Sequence, residues 1–303
     1  MSRERSEAGR LRMRSKLFVP GNRPLLFAKA LSALSDAVCF DLEDAVPAEE
    51  KAVARAHVKA ILQAKMEMAR TISVRVNDLR SACFDEDLSA VVWPGTAVVA
   101  VPKTEHPDEV KELAAALSKL ERERGIDRPI AILPTIESAR GLRFAYEIAQ
   151  ADPRVAGLQL GLVDLFSSLG ISAQDSAATH HVRLELRLAA GEAGLPCFDS
   201  AFPDFADSDG FAEDAATARG LGFSGKSCIH PSQIATANRI FSPTAEEVAT
   251  ARRVVDAAHA AAAQGRGVFA LDGHMIDIPM IRRSEEILQL AASLREDGGA
   301  GGA

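Results

Sequence analysis

Short aliphatic runs recur along the chain, each closed by a polar or glycine break. They are LFVP (17–20), AVCFDL (37–42), TISVRV (71–76), AVVAVP (97–102), PIAILP (129–134), VAGLQLG (155–161), CFDSAF (197–202) and GKSCIHP (225–231). Apolar runs without strict alternation suit parallel strands buried on both faces. Amphipathic or alanine-rich stretches lie between them, at 23–35, 48–69, 107–124, 138–151, 180–193 and 209–221. Eight β segments alternating with helices predict an α/β chain folded as a (β/α)8 TIM barrel. A doubly wound open sheet is the rival, and eight units fit the barrel's size better.

Beyond the eighth run, SPTAEEVATARRVVDAAHAAAA opens with a helix cap, Ser242 or Thr244 ahead of Glu246 and Glu247. VFALDGHMIDIP interrupts the helical pattern, and 279–295 resumes it. A barrel needs no such appendage, so a C-terminal helical arm or lid is expected. The expected organisation is a disordered tail at 1–13, the barrel at 14–240, the helical extension at 241–296 and a flexible tail at 297–303.

Composition narrows the class. Of 303 residues, 47% are hydrophobic, enough to bury a large core, and only 5% are aromatic. The net charge of −7 argues against nucleic-acid or anionic-membrane binding, which needs basic fields, but leaves room for an anionic substrate. Cys39, Cys83, Cys197 and Cys228 form no CxxC pair and read as reduced thiols of a cytoplasmic protein. No apolar run approaches the ~20 residues of a membrane span, and residues 1–13 lack the apolar core of a secretory signal.

In a (β/α)8 barrel the active site forms where strands end. The ends here carry Asn22; Asp41, Glu43 and Asp44; Arg75 and Asn77; Lys103; Glu137; Asp164; Asp199; and His230. Glu137 and Asp164 follow adjacent strands, and two carboxylates completed by water and substrate oxygens suit Mg²⁺. The competing reading is a carboxylate stabilising a helix N-terminus. Arg75 sits inside an apolar strand and must either bind a substrate carboxylate or pair with the Asp41, Glu43 and Asp44 cluster; both can hold together. Asp41 and Glu43 would hold waters of the metal or orient arginines, whereas Asp44 reads as a cap of the following helix. Lys103 invites a Schiff-base reading, but the acids around it favour a salt bridge or carboxylate binding.

Other signals are weaker. GLGFSG at 220–225 matches a dinucleotide fingerprint but ends a helical stretch and precedes a strand, so it is a turn. His180 and His181 begin a helical stretch as surface or capping residues, and His230 reads as a structural hydrogen-bonding histidine.

Together RSKLFVPGNRP, DAVCFDLEDAVPAEEKAVAR, VRVN, PTIESARGL, GLVDL, DSAFPDFADSDGF and GFSGKSCIHPSQI resemble the citrate lyase β-subunit-like proteins. These belong with malyl-CoA and citramalyl-CoA lyases in the HpcH/HpaI aldolase superfamily, and the resemblance runs from about residue 12 to residue 295. It implies a barrel assembled as a homotrimer or hexamer and a Mg²⁺-dependent carbon–carbon lyase, with Mn²⁺ as the alternative ion. The substrate implied is a 3-hydroxyacyl-CoA such as citramalyl-, malyl- or citryl-CoA, split to an acyl-CoA thioester and a 2-oxoacid. Glu137 and Asp164 would bind the metal, and Arg75 the oxoacid carboxylate. Arg14 would be a second pocket arginine or a contact on the thioester side, Asp41 and Glu43 the acidic pair beside the metal, and Asp277 the arm's aspartate entering a neighbouring subunit's site. Asp277 also reads as a helix cap near Pro279. A CoA pyrophosphate calls for basic residues, for which Arg14, Lys16, Arg23, Lys29 and Arg80 are available. The alternatives are a metal-dependent aldolase or hydrolase of a free acid or thioester, and a non-catalytic metabolite-binding or complex subunit.

Overall fold

The aliphatic runs become the staves of a closed barrel in the computed structural model, which describes residues 11–64, 70–263 and 267–299. The strands are β1 (Ser15–Pro20), β2 (Ala37–Asp41), β3 (Thr71–Arg75), β4 (Val98–Val101), β5 (Ala131–Ile136), β6 (Leu158–Leu160), β7 (Cys197–Asp199) and β8 (Gly225–Cys228). They pair in parallel and in sequence order, and β8 closes on β1. Around them run α1 (Phe27–Ser32), α2 (Lys51–Gln63), α3 (Phe84–Val91), α4 (Pro107–Arg124), α5 (Ala139–Arg143), α6 (Ala145–Gln150), α7 (Leu162–Leu169), α8 (Ser176–Glu192), α9 (Ser208–Gly220) and α10 (Ser232–Ile240).

Successive strand residues point to opposite faces, so each stave serves two cores. Val38, Phe40, Ile72, Val74 and Val99 join Val58, Leu62, Leu88 and Leu113 in the layer between strands and helices. Their neighbours Ala37, Val98, Ala100, Leu133 and Phe198, with Met13, plug the barrel's interior. Both layers exclude water, which is why the runs show little alternation.

Three helices, α3, α7 and α10, fall outside the amphipathic stretches named from sequence; they are only 8 or 9 residues long. The expected helix at 138–151 is two, because Phe144 leaves helical geometry (φ −100°, ψ 11°). His180 and His181 do not begin their helix: α8 starts four residues earlier, with Asp175 accepting from Ala178 N–H at 2.9 Å. GLGFSG is the turn from α9 to β8, with Gly222 at φ 86°. The part of the expected 48–69 helix at 65–69, the tail at 1–10 and residues 300–303 lie outside the described residues. Residues 11–13 do not behave as the tail expected of them, because Met13 is fully buried in the interior plug.

A second compact unit begins at Ser242. It holds α11 (Ala245–Ala262), the hairpin of β9 (Phe269–Leu271) and β10 (His274–Ile276), and α12 (Ile278–Gly299), which carries helix into the expected 297–303 tail. Thr244 rather than Ser242 caps α11, in a reciprocal box with Glu247. Asp272 and Gly273, at φ 51° and 80°, make the tight turn between the hairpin strands.

Closure of the barrel depends on one close approach. A Cβ on Gly225 would lie 1.8 Å from the Met13 carbonyl oxygen. Gly225→Ala is therefore expected to cost at least about 2 kcal/mol in equilibrium urea unfolding. A wild-type midpoint would show that the Met13 carbonyl yields without cost.

Candidate active site

The register between β2 and β3 sets Asp41 directly beside Arg75. Arg75 donates Nε to Asp41 Oδ1 at 2.7 Å and Nη2 to Asp41 Oδ2 at 2.6 Å. Its Nη1 lies 2.9 Å from Glu43 Oε2 and 3.8 Å from Asp44 Oδ2. The guanidinium also faces the Phe18 ring, 5.3 Å from its centroid. Burial works against this cation, but Asp41 and Glu43 outweigh it and raise its pKa.

Lys103, two residues beyond β4, continues the cluster. Its Nζ donates to Glu43 Oε1 at 2.6 Å and lies 3.8 Å from Asp44 Oδ1, and these acids raise its pKa, as a salt-bridged lysine requires. Its backbone N–H donates to Glu137 Oε1 at 2.6 Å. Burial raises the Glu43 pKa, with Arg75 and Lys103 opposing. Glu137 is pushed up to about 7, first by burial and then by Asp164 and Glu43, against the Lys103 N–H.

Glu137 is not the cap of its helix. Ser138 takes that role, accepting from Gly141 N–H at 3.0 Å, which leaves Glu137 to the mouth. Its side chain fills the space a residue larger than glycine would need at 161: a Cβ there would lie 2.4 Å from Glu137 Oε2. Gly161 caps α7, and Asp164 sits exposed in that helix's first turn.

The remaining strand-end residues sort differently. Arg14 does not belong to the mouth. It precedes β1 on the opposite face of the barrel and clasps Asp36 through its backbone N–H, Nε and Nη2 at 2.7–2.9 Å. Lys16 is not open to substrate either, being 2% exposed inside the barrel and donating to Gln159 Oε1 at 2.7 Å. Burial lowers its pKa to about 8. Arg14 enters its strand too early to reach the mouth, and alternation turns Lys16 into the interior. Arg80 spends its charge on Glu105 and Glu109, at 3.5 and 3.9 Å, while Arg23 and Lys29 are exposed.

Asp44 does not cap the next helical turn, which begins after Pro47; it faces Arg75 and Lys103 instead. Asn77 ties the end of β3 to Asp87 of α3 and to the Leu42 carbonyl. Asp199 joins Arg183, Asp214 and Lys226 in a charge network among β7, β8, α8 and α9. His230 stacks on Phe205 with centroids 5.1 Å apart and bonds Ser232. In the second unit, Asp277 Oδ1 accepts from Met280 N–H at 3.3 Å, so its capping role is realised.

Among the described residues, no three His, Cys, Asp or Glu side chains group as a ready-made metal cage. Mg²⁺ does not need one, since it binds through one or two carboxylates and keeps water or substrate oxygens. The donor set fits that ion: the carboxylates of Asp41, Glu43, Asp44, Glu137 and Asp164 gather at the mouth with Arg75 and Lys103, and Lys51 donates to the Leu42 and Glu43 carbonyls.

Comparison with known proteins points the same way. The profile of the HpcH/HpaI aldolase/citrate lyase family matches residues 14–231. The citrate lyase subunit beta of Escherichia coli is 38% identical over 288 residues, 94% of this chain and 95% of that protein. The L-malyl-CoA/beta-methylmalyl-CoA lyase of Cereibacter sphaeroides is 31% identical over 92% of this chain and 94% of its own length. The crystal structure of CitE from Mycobacterium tuberculosis, in complex with magnesium, acetoacetate and coenzyme A, superposes with a TM-score of 0.75 at 35% identity. It covers 93% of this chain and 99% of that one.

The raised Glu137 pKa has a measurable consequence in metal-free protein. A carboxyl at about 7 when folded, against 4.5 unfolded, binds more protons in the folded state between those values. Stability therefore falls as pH rises from 4.5 through 7. In EDTA, Glu137→Gln should stabilise the protein by ~1–3 kcal/mol at pH 8, with the gain vanishing toward pH 4.5. A pH-independent difference in unfolding midpoints would contradict the assignment.

Proposed function

Since this chain belongs to the HpcH/HpaI aldolase/citrate lyase family, we propose that the mouth of its barrel cleaves, or in reverse forms, a 3-hydroxyacyl-CoA such as citramalyl-, malyl- or citryl-CoA. The protein is a Mg²⁺-dependent carbon–carbon lyase of the citrate lyase type, acting on a CoA thioester. The observation that carries the residue assignments is the meeting of Arg75, Lys103, Glu43 and Glu137, from consecutive staves, in one cluster.

In this reading Glu137 and Asp164 hold the ion, which when bound supplies Lewis acidity to the oxygens of the 2-hydroxy acid half. Arg75 receives that half's carboxylate, and Asp41 keeps the guanidinium plane fixed for it through two parallel hydrogen bonds. Glu43 holds the third guanidinium nitrogen and takes part in moving the hydroxyl proton. Loss of that proton breaks the carbon–carbon bond: the hydroxyl carbon becomes the 2-oxoacid carbonyl, and the electron pair passes to the thioester enolate. Asp277 returns a proton to the enolate carbon. We assign that aspartate to the arm of a second copy of the chain, in a cytoplasmic homotrimer or hexamer. Four free cysteines, three of them buried, suit a reducing compartment.

The test is a panel of 3-hydroxyacyl-CoA thioesters incubated with Mg²⁺ or EDTA while 2-oxoacid release is followed. Mg²⁺-dependent release from one of them is expected. Glu137→Ala and Asp164→Ala should each cost at least about a hundredfold in kcat, and Asp277→Asn about as much with metal binding intact. Free CoA appearing without oxoacid would convert the assignment to a hydrolase, and full activity in the Glu137 or Asp164 variant would remove the metal assignment.

A further inference from the structure

Lys103 is one of two non-glycine residues with positive φ among the described residues, at 52°. A lysine gains nothing locally from that conformation, which side chains with a Cβ disfavour. Its surroundings enforce it. Val101, two residues before it, ends β4, Pro102 lies between, and Thr104 immediately after it is 1% exposed. Thr104 donates its N–H to the Thr135 carbonyl at 3.3 Å and its hydroxyl to the Val101 carbonyl at 3.2 Å. From above, the backbone of α5 presses on the same turn: a Cβ on Gly141 would stand 2.5 Å from the Thr104 carbonyl oxygen. Strain that is over-determined by its neighbours collects where a function needs it.

The left-handed turn lets one residue reach two acids. Its N–H meets Glu137 Oε1 and its Nζ meets Glu43 Oε1, both at 2.6 Å. These acids come from opposite flanks of β4, beyond β5 and beyond β2. We infer that Lys103 is a positioning residue for both halves of the site, its strained backbone aiming the Glu137 carboxylate and its ammonium aiming Glu43. The inference deepens the lyase reading and rests on it, since Glu137 is there the metal ligand. It separates two jobs that a simple salt bridge would merge: metal affinity follows the backbone at 103, and turnover follows the ammonium.

Two substitutions that both remove the ammonium pull these jobs apart. Lys103→Gly keeps positive φ at no steric cost, whereas Lys103→Val opposes it. Mn²⁺ binding by the purified protein is read from the electron paramagnetic resonance signal of the free ion, without substrate. The Kd should stay within about twofold of wild type in Lys103→Gly and weaken about fivefold or more in Lys103→Val. In the oxoacid-release assay, kcat should drop roughly tenfold in Lys103→Gly and recover in part in Lys103→Arg, which restores a cation on the same backbone. Should Lys103→Val fail to fold by circular dichroism, Lys103→Ala, also disfavoured at positive φ, replaces it. Equal Mn²⁺ affinity in the glycine and β-branched variants, or wild-type kcat in Lys103→Gly, overturns the inference and leaves the lyase reading standing. A wild-type protein that binds no Mn²⁺ overturns the metal reading itself and this inference with it.

Discussion

Arg75 is the cation on which the mouth of the barrel turns. Asp41, Glu43 and Asp44 arrive on one short stretch, and their mutual repulsion in a partly dry site needs compensation. The register of β2 and β3 supplies it, because Arg75 lands beside Asp41 with its fork matching the carboxylate edge. The planar group leaves Nη1 for Glu43, and Phe18 covers its face. A lysine at that position would meet one acid well and the others poorly. With the guanidinium held on two edges and one face, whatever it binds meets a surface already in place.

Beneath that mouth the barrel changes character in layers. Small and aliphatic side chains, with Phe198, fill the interior near the strand entrances. The Lys16 side chain crosses the space between, tied to Gln159, whose amide in turn donates to the Phe198 and Asp199 carbonyls. The carboxylates that face Arg75 and Lys103 collect at the strand exits, where backbone turns and helix starts can satisfy them. A stave serves packing along most of its length and chemistry at its last residue.

Much of this was legible in the sequence. Buried parallel strands leave a strong mark, an apolar run ending in a polar break, and all eight runs are strands. The same punctuation located Asp41, Glu43, Arg75, Lys103 and Glu137, since a polar residue directly after a buried strand has few places to go. What could not be read was direction and partnership. Arg14 and Lys16 lie in the motif that opens the barrel, but one stands before the strand and the other points inside it. Asn77 and Asp199 occupy strand ends like the rest and yet serve packing, because their partners Asp87, Arg183 and Lys226 are distant in sequence. The positive φ of Lys103 left no trace either: glycine or asparagine would have announced it, and lysine does not. Short helices such as α7, with little more than two turns, carry too few periods to register.

An acid-rich mouth also screens what enters it. A small anion meets the carboxylates of Asp41, Glu43 and Asp44 as well as the Arg75 guanidinium, whereas a divalent cation is drawn toward the acids. A bound cation would offset part of that repulsion and give an arriving anion a second partner beside the guanidinium.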